Sequence, residues 1–302
     1  MKHLEKLLIL KALPRVGNSK INNEYKSILT KDYSLEEFYD VLKRKAFSPS
    51  DINAAATSMK EIMDLLEENP SYKAITIYDS QYPEALKELG NSAPPYIFAL
   101  GNLEALDRVS LGIIGTRHPD KHVIDHAPAL VKHCIEKISP AIVSGLAIGC
   151  DTIGHKAALE NNAPTIALLP CGFNKIKPKA KMELADEIVE NGGLLISEYP
   201  PNTEETRFTP VQRDALIAAL SNKIITLQCG EKSGTMHTLD TAHTLSRPIG
   251  CYMPSIQEGD FAGHTYAISK YKASALKSFD DLDTFLESSP EKPDKQEQLS
   301  FI

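Results

Sequence analysis

Eight short apolar runs, parted by amphipathic stretches, constrain the fold of this chain more than any other feature. They are A-I-T-I-Y (74–78), Y-I-F-A-L (96–100), S-L-G-I-I-G (110–115), A-I-V-S-G (141–145), T-I-A-L-L-P (165–170), G-L-L-I-S-E (193–198), I-I-T-L-Q-C (224–229) and I-G-C-Y-M-P (249–254). Runs rich in Ile, Leu and Val without strict alternation suit strands buried on both faces, and helices between them imply βαβ units. The expected fold is therefore α/β, a mostly parallel sheet flanked by helices.

The residues before the first run read as helical. Leu4, Leu7, Leu8 and Leu10 make one apolar face, and Pro14 and Gly17 interrupt it. A second helix passes through Ile21 and Tyr25. Ser34, with Glu37 three residues on, has the spacing of a capping box. The stretch 50–68 carries Ile52, Ile62, Leu65 and Leu66 at helical spacing, and Asn69-Pro70 ends it. The expected organisation is a helical module over 1–70, an α/β domain over 71–286, and a polar, proline-containing, disordered tail over 287–302.

A length of 302 residues suits one large domain with a smaller one. The net charge of −7 means that any phosphate site must be a confined patch of cations. Cys134, Cys150, Cys171, Cys229 and Cys251 are scattered without a C-x-x-C pair, which predicts reduced, buried thiols in a cytosol. The opening M-K-H-L-E-K-L-L-I-L mixes charges into its apolar run, and no stretch reaches the length of a membrane span. A soluble, cytoplasmic protein is expected.

Small and polar residues follow the apolar runs. Gly115-Thr116-Arg117, Ser144-Gly145, Pro170-Cys171-Gly172, Ser197-Glu198 and Gly230 through Ser233-Gly234-Thr235 each follow one. In a right-handed parallel sheet these loops share the carboxyl edge, where open α/β sheets bind ligands. Glycine lets backbone N–H groups approach a phosphate, and a helix N-terminus adds partial positive charge. Any one such loop is what a strand-to-helix turn uses for folding alone; five at one edge support an anion or nucleotide site without identifying it. The G-x-G-x-x-G fingerprint and the phosphate-loop pattern are both missing, so neither NAD nor ATP hydrolysis of that type is expected, and no cofactor is assigned.

Several of these segments are more specific. D-S-Q-Y-P-E-A-L, P-P-Y-I-F-A-L-G, G-I-I-G-T-R, S-G-L-A-I-G-C-D-T-I-G-H-K-A-A-L, T-I-A-L-L-P-C-G, G-G-L-L-I-S-E-Y-P-P, R-D-A-L-I-A-A-L-S and S-G-T-M-H-T occur in order. Together, over 79–281, they resemble the DprA/Smf family of DNA-processing proteins. The resemblance implies a Rossmann-like domain, and L-P-R-V-G (13–17) resembles the small all-helical SAM-like module that precedes it in that family. It implies a non-catalytic protein, usually a homodimer, that binds single-stranded DNA and hands it to a RecA-type recombinase during natural transformation. Carried over by position, the DNA pocket would include Gly115, Thr116, Arg117, Ser144, Gly145, Gly172, Arg213, Ser233, Gly234 and Thr235. Lys175, Lys177 and Lys179 would add phosphate contacts, or form a merely solvated basic loop.

The chain also departs from the family pattern. Where R-N-R is usual it reads Arg213-Asp214-Ala215, which loses a cation and puts a carboxylate near the phosphates. His118-Pro119-Asp120-Lys121 replaces S-x-Y-G, Pro254-Ser255 replaces P-G, and the winged-helix tail of some members is not found. Such divergent copies accompany partner genes in mobile elements and phage-defence loci, where one component restrains a toxin, so a partner toxin is the second candidate partner.

Other residues carry competing readings. Asp151 and His155, four apart at a helix start, are read as a dipole-favoured carboxylate above a packed histidine rather than a catalytic pair. His118, His122 and His126 repeat at four and are read as an exposed helix face rather than a metal site. Glu198 is the best acid in the cleft; related Rossmann-like proteins cleave nucleotide N-glycosidic bonds with a glutamate, so a nucleotide-binding or nucleotide-cleaving protein is the alternative function. A protein-binding regulator that has lost DNA binding is a further one. Finally, Gln298, Leu299 and Phe301 in the last five residues resemble the peptide that docks on the DNA-polymerase sliding clamp.

Overall fold

In the computed structural model, residues 1–288 are described. They form two compact units. The first is Met1–Leu100 with Cys171–Lys175 and Ile196–Glu204; the second is Gly101–Pro170, Ile176–Leu195 and the chain from Glu205 on.

In the first unit the helices are α1 (His3–Ala12), α2 (Asn18–Lys20), α3 (Lys26–Leu29), α4 (Leu35–Arg44), α5 (Pro49–Glu68) and the single turn α6 (Glu84–Lys87). Leu7, Leu8, Ile9 and Leu10 of α1 are buried, and α1 packs on α5, whose inner positions are Ile52 and Ala55. Helix α4 starts where its local chemistry dictates. The Ser34 hydroxyl accepts from the Glu37 amide at 3.2 Å, and the Glu37 carboxylate accepts from the Ser34 amide at 2.7 Å. Helix α5 starts slightly earlier than the apolar spacing suggests, because Ser48 caps it and Pro49 takes the first helical position. The strands β1 (Tyr72–Thr76) and β2 (Tyr96–Gly101) pair antiparallel, with Ala74 opposite Phe98.

The second unit holds β3 (Ser110–Ile114), β4 (Ala141–Ser144), β5 (Thr165–Leu169), β7 (Lys223–Thr226), β8 (Ile249–Tyr252) and β9 (Ser274–Leu276); β6 (Leu194–Ser197) begins in it. Its order is β5-β4-β3-β7-β8-β9, parallel at every one of these pairings. The helices are α7 (Lys121–Ile138), α8 (Cys150–Glu160), α9 (Lys179–Glu190), α10 (Thr209–Leu220), α11 (Thr235–Thr244), α12 (Ala262–Lys270) and α13 (Phe279–Glu287). Leu111, Ile113, Ile142 and Ile225 from the strands, with Leu227 just after β7, meet Val123, Val131, Leu282 and Phe285 of α7 and α13 in one core. On the other face α10 lies against β3, β4 and β5. The mostly parallel α/β sheet with a helical N-terminal part is thus the fold that the apolar runs predict. Strand β9 was not anticipated.

All five cysteines are buried free thiols. Burial pushes Cys134 and Cys251 up to about 12. No described helix is long and apolar enough to cross a membrane. Of the expected tail, Glu287 ends α13, and residues 289–302, with the clamp-like Gln298, Leu299 and Phe301, lie outside the described residues.

Candidate functional site

Strand β3 is the point at which strand order reverses: β4 and β5 continue to one side, β7, β8 and β9 to the other. Such a reversal opens a crevice outside the carboxyl ends of the two diverging strands. Here it lies between the loop after β3, which holds Gly115-Thr116-Arg117, and the loop after β7, which leads to Ser233-Gly234-Thr235 and α11.

The β3 loop is clamped from both sides. The Thr116 amide donates to the Gln228 carbonyl at 2.7 Å, and the Cys150 amide donates to the Thr116 carbonyl at 3.1 Å. Gly149 makes the second contact possible: its φ is +86°, and a Cβ there would collide with the Thr116 and Arg117 backbone. The loop therefore has little freedom, and it holds Arg117 exposed at the rim. Arg117 makes no hydrogen bond or ion pair among the described residues. On the far side, the Ser233 hydroxyl accepts from the Thr235 amide at 3.2 Å and orders the entry to α11.

Between these loops is an open cavity of about 590 Å³ lined by Gly115, Thr116, Arg117, Asp151, Arg207, Arg213, Asp214, Ser233, Gly234 and Thr235, among others. Arg213 forms its floor and is only 4% exposed. One of its terminal nitrogens donates to the Leu168 carbonyl at 2.7 Å and to the Gly145 carbonyl, and its Nε donates to Asp214 Oδ1 at 3.1 Å. Gly145 is required here, since a Cβ would occupy the place of the guanidinium. Gly145 therefore serves this floor rather than the rim, and Ser144, fully buried, donates its hydroxyl to the Ile113 carbonyl. Asp151 accepts from the Ala147 amide at 3.2 Å. Burial raises the Asp151 and Asp214 carboxyl groups above the ordinary carboxylate range, and the Arg213 charge opposes that rise in both.

Lys181 of α9 is the cation that the sequence reading missed. Burial lowers its pKa; the Glu205 carboxylate opposes the shift, and the positive charges of Arg117 and Arg213 add to it. Lys181 is thus within electrostatic reach of Arg117 and Arg213, although it is not among the residues that line the cavity. A signal was available: 181, 184 and 188 share one helix face, and Leu184 and Ile188 are core residues. Lys179, named in its place, is exposed and pairs with Glu183 at 3.4 Å along the helix. Lys177 is exposed in the second unit.

Three anticipated residues belong to the first unit. The Gly172 amide donates to the Thr203 carbonyl at 2.9 Å, and Lys175 pairs with Glu204 at 3.3 Å. Glu198, 5% exposed, accepts from Asn18 Nδ2 at 3.2 Å. Burial depresses the nearby Lys11 amine and the Glu198 charge opposes it, so this carboxylate is part of a buried polar network. His155 is fully buried with Nδ1 at 2.7 Å from the Thr165 hydroxyl, and desolvation lowers it to about 3. The ring is thus neutral, and its Nε2, also buried, has no hydrogen-bond partner among the described residues, so the histidine is not the fully satisfied one that the sequence suggests. His118 is a correction: it precedes α7 rather than riding on it, because Asp120 caps the helix by accepting from the Val123 amide at 2.9 Å.

The model of the family described as DNA recombination-mediator protein A matches residues 73–287. DNA processing protein DprA of Bacillus subtilis is 32% identical over 212 residues, 69% of either chain. The structure of DprA from Streptococcus pneumoniae matches at a TM-score of 0.77 and 27% identity, over 93% of this chain and 98% of that one. A structure of DNA processing protein A from Helicobacter pylori, described for its single-stranded DNA binding mode, matches at 0.63 and 27%, over 71% of this chain and 95% of that one. Matched across more than two thirds of its length, with the reversal-point crevice and its clamped Gly-Thr-Arg loop, the chain belongs to the DprA/Smf family of DNA recombination-mediator proteins.

Proposed function

We propose that this chain binds single-stranded DNA without sequence preference at the β3/β7 crevice, and holds it without turning it over. The carrying observation is Arg117, an exposed guanidinium on a rigid loop with no partner among the described residues, at a cavity large enough for a nucleotide and with Lys181 within its electrostatic reach. Arg117 and Lys181 would meet phosphates, and the entry to α11 would add backbone N–H groups. Arg213 would act differently from the sequence-based expectation, fixing the floor through Gly145 and Leu168 instead of touching DNA.

The rim also offers a stacking surface. Phe208 is 60% exposed at the start of α10, with the Arg207 guanidinium 4.5 Å from its ring centre. Bases stack on such rings regardless of identity, contributing about 1–3 kcal/mol each. Glu205, Asp151 and Asp214 in the same cavity oppose phosphate and moderate the affinity. The relative from H. pylori, described by its single-stranded DNA binding, supports the reading.

The strand so held would be passed to a protein partner. A RecA-type recombinase and a toxin of a defence locus are the two candidates, with a homodimer as the working unit. Fluorescence anisotropy with a labelled oligonucleotide at low salt tests the site. Phe208→Ala should weaken binding by roughly 5- to 100-fold, and mixed, oligo-dT and oligo-dA strands should bind alike. A strong preference for one base, or full affinity in Phe208→Ala, would count against it. Incubation with nucleoside monophosphates should release no free base; steady release lost in Glu198→Gln would favour the hydrolase instead.

A further inference from the structure

A second open cavity, of about 410 Å³, lies among the loops after β3, β7 and β8, with Asp120, Gln228, Lys232 and Asp260 in its lining. Thr116, His118 and Ser233 line both this cavity and the β3/β7 crevice, so the two open side by side across a shared ridge. Their chemistry differs. The second cavity has one exposed cation, Lys232, which makes no hydrogen bond or ion pair among the described residues. Against it stand two carboxylates. Asp120 is engaged, accepting from the Val123 and Gly259 amides at 2.9 and 3.2 Å. Asp260 Oδ1 accepts from the Ala262 amide at 2.9 Å, whereas its Oδ2 has no hydrogen-bond partner among the described residues. Gln228, 2% exposed, is held in place by accepting from the Asp120 amide at 2.8 Å.

We infer that this cavity seats the base of the nucleotide next to the one held in the crevice, with a phosphate of that nucleotide at Lys232. The inference rests on the single-stranded DNA reading above. Asp120 and Asp260 repel a phosphate, and Lys232 attracts it, so the backbone stays at the opening. A base is neutral and brings N–H groups, for which Asp260 Oδ2 is a free acceptor. Each of the four bases has at least one N–H on its Watson–Crick edge, so the seat adds hold without a strong sequence preference. The linkage between the two nucleotides crosses the ridge. There Thr116 Oγ1 accepts from the His118 amide at 3.2 Å, which leaves its hydroxyl proton for a phosphate oxygen. His118 and Asp120 are among the residues at which the chain departs from the family pattern, so this lining is particular to the chain.

Competition against a labelled oligonucleotide on the full chain tests this, with thymidine 5′-monophosphate, the 5′-phosphorylated dithymidine dinucleotide and a dinucleotide lacking one base as competitors. The dinucleotide should compete at least about tenfold better than the mononucleotide. Lys232→Ala, an exposed change that leaves folding alone, should remove most of that gain, and the dinucleotide lacking a base should fall towards the mononucleotide. In amide spectra the dinucleotide should shift Gly230 and Gly259 more than the mononucleotide does. Equal competition by the two, with the labelled strand still bound, overturns the second seat and leaves the crevice reading standing. A gain that survives in Lys232→Ala with Gly230 and Gly259 unmoved overturns it as well. A labelled strand that does not bind at all overturns both.

Discussion

At the scale of single residues, two neighbours on α10 behave oppositely. Arg213 is committed to carbonyl groups and to Asp214, so Arg213→Ala strands Asp151, Asp214 and two acceptors in the interior. Breaking a buried charge cluster of this kind destabilises by about 3–5 kcal/mol, and denaturant unfolding should show it; a loss below about 1 kcal/mol would mean that the floor is not held in this way. Asp214 is the departure that most affects the ligand. Its side chain is 14% exposed and lines the cavity. Asp214→Asn removes a negative charge that faces the phosphates and should tighten oligonucleotide binding by roughly fivefold. Because burial raises the Asp214 pKa, the carboxyl keeps its proton above the ordinary carboxylate value. Its favourable contribution is complete below that value and is lost as pH rises through the folded one. As pH rises through its raised pKa the carboxyl gains a charge that opposes phosphate, so DNA affinity of wild type should fall more steeply above the ordinary carboxylate value than that of Asp214→Asn; parallel profiles would refute the effect. The sequence revealed that Asp214 was unusual but not that Arg213 was buried, since burial depends on Gly145 and Leu168, far away in the chain.

At the scale of elements, what could be read from the sequence was what the chain encodes locally. The Ser34–Glu37 capping box and the stop at Asn69-Pro70 involve residues three or four positions apart, and the structure shows both. Strand β9 could not be read. It is three residues long, and Ser274, Ala275 and Leu276 become a strand only by pairing with Gly250, Cys251 and Tyr252 of β8. The histidine repeat misled for a related reason: spacing alone does not show where a helix begins, and Asp120 starts α7 two residues after His118. Asp120 also accepts from the Gly259 amide at 3.2 Å, and its own amide donates to Gln228 Oε1 at 2.8 Å, so it ties the β3, β7 and β8 loops together. Asp120→Ala should lower stability by about 1–2 kcal/mol and speed hydrogen exchange at Val123 and Gly259. Unchanged exchange at Gly259 would show that the loops are held by other interactions.

At the scale of the whole molecule, an acidic chain with a net charge of −7 gathers Arg117 and Arg207 around one opening of the second unit, with Lys181 within electrostatic reach of Arg117. The first unit collects Cys171–Lys175 and Ile196–Glu204 from late in the sequence, an association that no local pattern announces. Stability should report the buried histidines. Desolvation lowers His155 to about 3 and His264 to about 4. For a lowered pKa the contribution is present above the unfolded value near 6.5 and is lost as pH falls towards the folded one. Unfolding free energy should drop between pH 6.5 and 5.5 by up to about 1.4 kcal/mol per histidine, and a His155→Gln, His264→Gln variant should flatten the slope; an equal slope in the variant would assign the loss elsewhere. The central claim, a phosphate site organised around Arg117, is met most directly by the salt dependence of single-strand affinity. Log affinity should fall linearly with log salt, and Arg117→Ala should both weaken binding and reduce the slope by about 0.7, since one phosphate is then no longer neutralised. Binding insensitive to salt, or a slope unchanged in Arg117→Ala, would contradict the account and place the DNA elsewhere on the protein.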